Sequence, residues 1–174
     1  MSSKNNPQHS AHSDLQTRNL VYLAIGSALG LGLSPVAPGT LGALLGVLLH
    51  LAAAYYLASP LYIGVLIIAL LLVSYANHAL TPWAREYWRS EDPRHFVLDE
   101  IAGYLMVPIL FHQWAPWKIA LWGFALFRFF DIVKIPPARQ IDRNMKNSWG
   151  ILLDDLVSGA YAALVMYVLW IFGV

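Results

Sequence analysis

The side chains best suited to chemistry in this chain are charged residues at the ends of long apolar stretches. Arg128, Asp131 and Lys134 follow one another at intervals of three, which on a helix places them on one side, about one turn apart. Pro136 and Pro137 should end that helix, because proline lacks the backbone N–H and disfavours α geometry in the preceding residue. Such a charged stripe can anchor a helix end among lipid headgroups or form part of a metal and phosphate site.

Two acidic pairs, Asp99–Glu100 and Asp154–Asp155, stand near the start of two other apolar stretches. Acidic residues at membrane depth are costly and usually face a polar cavity or a partner. The chain has no cysteine, so thiolate metal sites are excluded, and clustered carboxylates favour a hard cation, with Mg²⁺ as the first choice. Mg²⁺ beside a phosphate would support either hydrolysis or transfer of a phosphoryl group.

Basic residues and one loop offer contacts for the phosphate itself. Arg128 and Arg143 can bind phosphate oxygens bidentately, and Lys134 can do so as a point charge. Thr40 and the amide of Gly39 can contact a phosphate oxygen or simply cap the helix that follows. Combined with the acids, these residues indicate phospholipid headgroup chemistry.

The composition indicates the environment in which this chemistry takes place. The chain has 174 residues, of which 58% are hydrophobic and 12% are charged, about half the usual charged share. This predicts a single integral-membrane domain. The net charge of +1 gives no overall bias towards nucleic acid.

The apolar stretches predict an all-α, polytopic membrane protein. Residues 1–19 are expected to form a mobile cytoplasmic tail, and residues 20–174 a single domain. Residues 20–33 fall short of the roughly 20 residues that a spanning helix needs and favour a re-entrant or interfacial helix; if they span fully, residues 1–19 lie on the other side of the membrane. Residues 81–97 mix aromatic and charged side chains, which predicts an amphipathic surface segment that begins near Pro82. Five spans are expected, at 41–58, 61–80, 98–114, 117–134 and 151–172.

The distribution of charge predicts an orientation for these spans. Of the eleven Lys and Arg residues, only Lys118 falls on the side of the turns at 59–60 and 114–118. The positive-inside rule therefore places the opposite side, with all ten acidic residues, in the cytoplasm.

Four motifs together resemble the phosphatidylglycerophosphatase A family, in the family's order. They are Gly32-Leu-Ser-Pro-Val-Ala-Pro-Gly-Thr-Leu-Gly42, Asp99-Glu-Ile-Ala-Gly103, Phe127-Arg-Phe-Phe-Asp-Ile-Val-Lys134 with Asp142-Arg143, and Gly150-Ile-Leu-Leu-Asp-Asp-Leu-Val-Ser-Gly159. The resemblance implies a Mg²⁺-dependent phosphatase of the bacterial inner membrane. Its substrate would be phosphatidylglycerophosphate, and its product phosphatidylglycerol.

Within that family pattern, roles can be assigned to residues as hypotheses. Glu100, Asp131 and Asp155 are expected to bind Mg²⁺, and Thr40, Arg128, Lys134 and Arg143 to bind the phosphate. Asp99 and Asp154 are the alternative metal ligands or the general base, so the expected catalytic acids are Asp99, Asp131 and Asp154. Because adjacent residues on a helix point about 100° apart, one acid of each pair is expected to face the site.

Two other functions are compatible with membrane helices that carry acids. A CDP-alcohol phosphotransferase would need an Asp-Gly element, but no Asp in this chain is followed by Gly. A small cation-coupled transporter would place its charges near the bilayer midplane, whereas here they cluster at helix ends on one side.

Overall fold

A computed structural model describes residues 7–173, and all the regular secondary structure within that range is helical. Seven α-helices are joined by short connections, and a 3₁₀ turn lies at Leu31–Leu33. The helices are α1 (Pro7–Gly26), α2 (Pro38–Tyr56), α3 (Leu61–Trp88), α4 (Leu98–Leu110), α5 (Pro116–Val133), α6 (Ala138–Asn144) and α7 (Ser148–Ile171). The predicted all-α membrane fold is confirmed.

Three of these helices, α2, α3 and α7, are long and apolar enough to cross a membrane. Five membrane spans were expected, but only three of the described helices meet this requirement of length and apolar composition. α4 has 13 residues, a length of roughly 20 Å against the roughly 30 Å of a hydrocarbon core. α5 has 18 residues but carries Lys118, Arg128 and Asp131.

Helix α4 lies at the centre of the bundle and packs against α2, α3, α5 and α7. Its residues Tyr104, Leu105 and Val107 are completely buried. A helix that is apolar on all sides is expected in the interior of a bundle. The short helix α4 is therefore supported by protein neighbours on most of its circumference.

Glycines allow α4 to approach two of its neighbours closely. A Cβ at Gly42 or Gly46 of α2 would press on Val97, just before α4, or on Tyr104 within it. A Cβ at Gly159 of α7 would collide with the carbonyl oxygen of Gly103. Gly103 and Gly159, the two glycines that follow the acidic pairs, therefore serve helix packing.

The bundle brings four helix ends to one side. The starts of α2, α4 and α7 and the end of α5 line a common cavity. The short turns between α2 and α3 and between α4 and α5 lie at the opposite ends of these helices. The sequence predicted this arrangement from the alternation of apolar stretches.

Two boundaries differ from those expected. α1 starts at Pro7, so residues 7–19 of the expected tail are helical, and the indole N–H of Trp83 donates to Asn19 Oδ1 over 3.1 Å. Residues 1–6 lie outside the described range. Pro82 lies inside α3 rather than at a helix start, and α3 continues to Trp88. Burial of Leu80, Thr81 and Ala84 holds the helix through the proline, as neighbouring helices often do in membrane proteins.

Candidate active site

A cavity of about 400 Å³ lies where the four helix ends meet. It collects most of the charged residues that the sequence singled out, and the loop before α4 closes one side of it. Its polar lining comprises Thr40, Asp92, Arg94, Asp99, Glu100, Arg128, Asp131, Lys134, Asp154 and Asp155. All the predicted site residues except Arg143 therefore line one cavity.

Three carboxylates form the most compact group in this cavity. One oxygen from each of Asp99, Glu100 and Asp155 can be chosen so that all lie within 4.8 Å of one another. Asp99 Oδ1 and Glu100 Oε2 are buried without a hydrogen-bond partner among the described residues. Like charges at this separation repel one another, and oxygen ligands in such a cluster fit a divalent cation.

This group differs from the predicted metal ligands in one member, since Asp99 takes the place of Asp131. Asp131 Oδ2 instead lies 2.6 Å from Arg128 Nη1, one turn earlier on α5. Both acids of the Asp99–Glu100 pair reach the group, although one was expected to turn away. The prediction considered only the direction in which each residue points on the helix. The two side chains differ in length, and both reach the same group from the first turn of α4.

Asp131 nevertheless stays beside the group of three carboxylates. Its side chain lies close enough to that of Asp155 for a hydrogen bond between the two. Arg128 Nε has no hydrogen-bond partner within the described part of the chain, so the guanidinium retains a donor for an anion. The Arg128–Asp131 pair thus joins the carboxylate group to the basic side of the cavity.

Lys134 neutralises Asp154, the acid of α7 that lies outside the group of three carboxylates. Its Nζ lies 2.6 Å from Asp154 Oδ2 and 2.8 Å from Asp142 Oδ1. Burial acts to lower the pKa of Lys134, but hydrogen bonds from the ammonium to Asp142 and Asp154 outweigh it and raise the pKa above its ordinary value. The residue is therefore a fixed cation, and its donors are largely occupied by the protein.

The start of α2 supplies backbone donors to the cavity. Gly39 and Thr40 are the second and third residues of the helix, where backbone N–H groups have no partner inside the helix. The residue before the helix is Ala37, and no side chain caps it, so Thr40 is not the cap. A Cβ on Gly39 would collide with the Glu100 carboxylate, so glycine lets these amides approach the acidic group.

The structure places Arg143 outside the cavity and adds residues that the sequence did not assign. Arg143 is exposed on α6, whereas its neighbour Asp142 reaches Lys134. Asp92 and Arg94 line the cavity from the loop between α3 and α4. Their position just before the Asp99–Glu100 motif was the available signal, but they were interpreted as headgroup-region charges.

Comparison with known proteins identifies the family of this chain. The family model described as "Phosphatidylglycerophosphatase A" matches residues 24–170, which include every residue of the cavity. The chain belongs to the phosphatidylglycerophosphatase A family. It is therefore a phosphatase, as the four sequence motifs implied.

Curated relatives cover nearly the whole chain. Phosphatidylglycerophosphatase A from Haemophilus influenzae is 34% identical over 83% of this chain and 85% of its own length. The Escherichia coli protein of the same name is 30% identical over 92% of this chain and 91% of its own. A Bacteroides thetaiotaomicron protein, named provisionally as a phosphatidylinositol-3-phosphatase, is 34% identical over 86% of this chain and 94% of its own. No solved structure matches the chain.

As a phosphatase site, the cavity separates two kinds of group. Carboxylates from α4 and α7 form one wall, suited to a cation. The Arg128 guanidinium and the first amides of α2 border them on the adjacent walls, and such donors suit phosphate oxygens. A phosphate placed between the two would contact both.

Proposed function

We propose that this enzyme hydrolyses the terminal phosphate of phosphatidylglycerophosphate and releases phosphatidylglycerol, as a Mg²⁺-dependent step of phospholipid biosynthesis. The observation that carries the proposal is the group of Asp99, Glu100 and Asp155, within 4.8 Å of one another, in a cavity shared with Arg128. The names of two relatives supply the substrate.

The donor set fits the proposed metal. Asp99, Glu100 and Asp155 would hold Mg²⁺, which prefers carboxylate oxygens and usually retains several waters. When bound, the ion supplies charge that offsets the developing negative charge on the phosphoryl group and favours an attacking water. Asp131, beside Asp155, can complete the set through a water molecule.

The chain's own residues would position the phosphate and move protons. Arg128 binds nonbridging phosphate oxygens while Asp131 keeps the guanidinium in place, and the amides of Gly39 and Thr40 add neutral donors. An oxygen of water attacks phosphorus as the bond to the glycerol oxygen breaks. Asp131 takes a proton from the attacking water, the departing glycerol oxygen takes a proton from a second water in the cavity, and Asp131 then returns its proton to solvent. Asp99 and Asp154 are the other carboxylates near this path.

The cavity is proposed to face the cytoplasm across the inner membrane. Lys118 lies at the start of α5, at the opposite end from the cavity, while Arg94, Arg128 and Lys134 line it. Positive charge concentrated at one end of the helices supports cytoplasmic placement of that end.

The test is phosphate release by the purified protein in detergent micelles that contain phosphatidylglycerophosphate. We expect release with Mg²⁺ and its loss, by at least 100-fold, with EDTA, followed by recovery when Mg²⁺ is restored. Phosphatidylinositol 3-phosphate should be assayed in parallel, because one relative carries that activity in its name. A preference for that lipid would overturn the substrate assignment, and full activity in EDTA would overturn the metal.

A further inference from the structure

Helices α2 and α5 both line the cavity and pack against each other, and we call the line along which they meet the α2–α5 seam. These helices run in opposite directions, so α2 begins and α5 ends at the cavity. At the other end of the same pair, an apolar groove of about 560 Å³ lies between residues 48–56 of α2 and Pro116 and Trp117 of α5. One pair of helices therefore lines a polar cavity at one end and an apolar groove at the other.

On α2, one helical face extends from the cavity to the groove. The residues of this face recur at intervals of four, four, three and four, the spacing of a single helical stripe: Thr40, Leu44, Leu48, Leu51 and Tyr55. Thr40 lines the cavity, and the last three residues line the groove. Leu48 is 62% exposed, so the stripe faces outward along the seam.

On α5, a stripe with the same spacing runs in the opposite direction: Trp117, Leu121, Ala125, Arg128 and Ile132. Trp117 lines the groove, and Arg128 and Ile132 line the cavity. Leu121 is 61% exposed. Between the phosphate-binding groups and the groove, the seam is therefore bordered by apolar side chains from both helices.

This seam is also where the cavity has an apolar, exposed edge. Ile132 lines the cavity and yet is 71% exposed. The seams between α2 and α4 and between α4 and α7 are closed, because Gly46 packs on Tyr104 and Gly159 on the backbone of Gly103. A group that extends from the cavity into the hydrocarbon can therefore pass over Ile132 and lie along the outer face of the α2–α5 seam.

We propose that the α2–α5 seam holds an acyl chain of the lipid whose phosphate lies in the cavity, an inference that rests on the function proposed above. From Thr40 to Leu48 the rise along α2 is about 12 Å, close to the depth of roughly 15 Å of one leaflet. The chain end of a lipid with its headgroup in the cavity would thus reach the near end of the groove. The seam makes the enzyme selective for long-chain lipid phosphates.

The first test compares chain lengths. Leu44→Trp and Leu48→Trp fill the seam between the cavity and the groove, while Leu72→Trp on α3, at a residue 64% exposed, is the matched control. For a dipalmitoyl substrate we expect kcat/KM to fall about tenfold in each seam variant and less than twofold in the control. For a dihexanoyl substrate all three variants should match the parent protein.

Two outcomes of this comparison overturn the proposal. Equal kcat/KM in seam and control variants on the dipalmitoyl substrate would show that the seam is not used, and equal losses on both substrates would show a general structural effect. If the parent protein releases phosphate from neither substrate, the proposed function fails, which is a separate result.

The second test locates the chain without turnover. A non-hydrolysable phosphonate analogue with a diazirine near the end of its acyl chain is photolysed in the presence of the enzyme, and the labelled peptides are mapped by mass spectrometry. We expect adducts concentrated at residues 44–51 and 117–125. Adducts spread equally onto α3 would overturn the proposal.

A second copy of the chain is the other occupant to consider at the seam. The chain contains no cysteine, so Leu48→Cys introduces one thiol. Efficient oxidative formation of a disulfide-linked dimer through that residue would mean that two seams face each other and would overturn the lipid assignment. We expect the variant to remain monomeric.

Discussion

At the level of single residues, the acids of the cavity differ in the partner that each one has. Asp131 is paired with Arg128, and Asp154 with Lys134. Asp99 and Asp155 instead lie together with Glu100, and they have no ion pair among the described residues. Negative charge that the protein does not neutralise is therefore concentrated in this group, which is where a cation would have the largest effect.

Replacement of Asp155 or Asp99 by Asn should abolish phosphate release, by 100-fold or more, because an amide oxygen is a weaker Mg²⁺ ligand than a carboxylate. Without Mg²⁺ the melting temperature should stay the same or rise, since repulsion within the group is reduced. Phosphate release and thermal unfolding with and without Mg²⁺ are the measurements. Glu91→Gln, at an exposed acid, is the control, and parental activity in Asp155→Asn would contradict the assignment.

Lys134→Met should destabilise the fold by about 1–3 kcal/mol, since it leaves the buried Asp154 carboxylate without a cation. We expect a smaller loss of stability than for a fully buried ion pair, because Lys134 and Asp142 are partly exposed. Because the pKa of Lys134 is raised, its contribution is fully present below the ordinary lysine pKa of about 10.4; the loss should become smaller at low pH, where protonation removes the unpaired charge of Asp154 in the variant. Denaturant unfolding in detergent measures it.

The partner variant separates charge from packing at Lys134. Asp154→Asn combined with Lys134→Met should recover part of the lost stability, because no unpaired charge is then buried. If the double variant loses, relative to the parent protein, the sum of the two single-variant losses, the two side chains do not interact as the 2.6 Å distance indicates.

At the level of elements, the crossing of α4 and α7 sets the distance between the two acidic helices. Gly103 and Gly159 lie at this crossing, about one turn beyond the acids on each helix. A separation of the backbones here would move Asp155 away from Asp99 and Glu100. Helix packing at two small residues therefore sets the geometry of the carboxylate group that we propose binds Mg²⁺.

Gly159→Ala should lower both stability and activity, because its Cβ would overlap the Gly103 carbonyl oxygen. Overpacking of this kind costs about 1–3 kcal/mol, and we expect at least a tenfold fall in phosphate release. Gly64→Ala is the matched control, since nothing lies within 4 Å of a Cβ there and alanine favours the helix. Equal thermal shifts and equal activity in the two variants would argue against the close crossing.

At the level of the whole molecule, the fold divides the chain into a charged end and an apolar body. The cavity, its loop and α6 lie at one end, and the turns at 57–60 and 111–115 lie at the other. Within the described part of the chain, acids and bases from several helices meet at the cavity end alone. On the proposed function, the enzyme would receive a headgroup from one membrane surface.

Single cysteines in this cysteine-free chain should report the orientation. Ser59→Cys, in the turn before α3, should react with a membrane-impermeant maleimide in intact cells, because we propose that this end faces outward. Glu91→Cys, in the loop beside the cavity, should react only after permeabilisation. The reverse labelling pattern would invert the proposed topology while leaving the cavity unchanged.

Much of this architecture was predictable because its signals are local in sequence. The apolar stretches located α2, α3 and α7, and the charges at their ends indicated the side on which a site would form. The start of α1 at Pro7 and the continuation of α3 through Pro82 to Trp88 were not predictable, since contacts such as that between Asn19 and Trp83 come from residues distant in the chain. For the same reason, the short helix α4, which packs against four other helices, could not be told from a full span.

The sequence alone determined the chemistry available to this protein: carboxylates without thiols, basic residues beside them, a membrane environment and the family. Only the tertiary structure decided how these residues are divided. It grouped Asp99 with Glu100 and Asp155, assigned Asp131 to Arg128 and Asp154 to Lys134, and left Arg143 outside. The physical reason is that helical spacing fixes which way a side chain points on its own helix, whereas the distance between helices depends on packing at glycines such as Gly103 and Gly159.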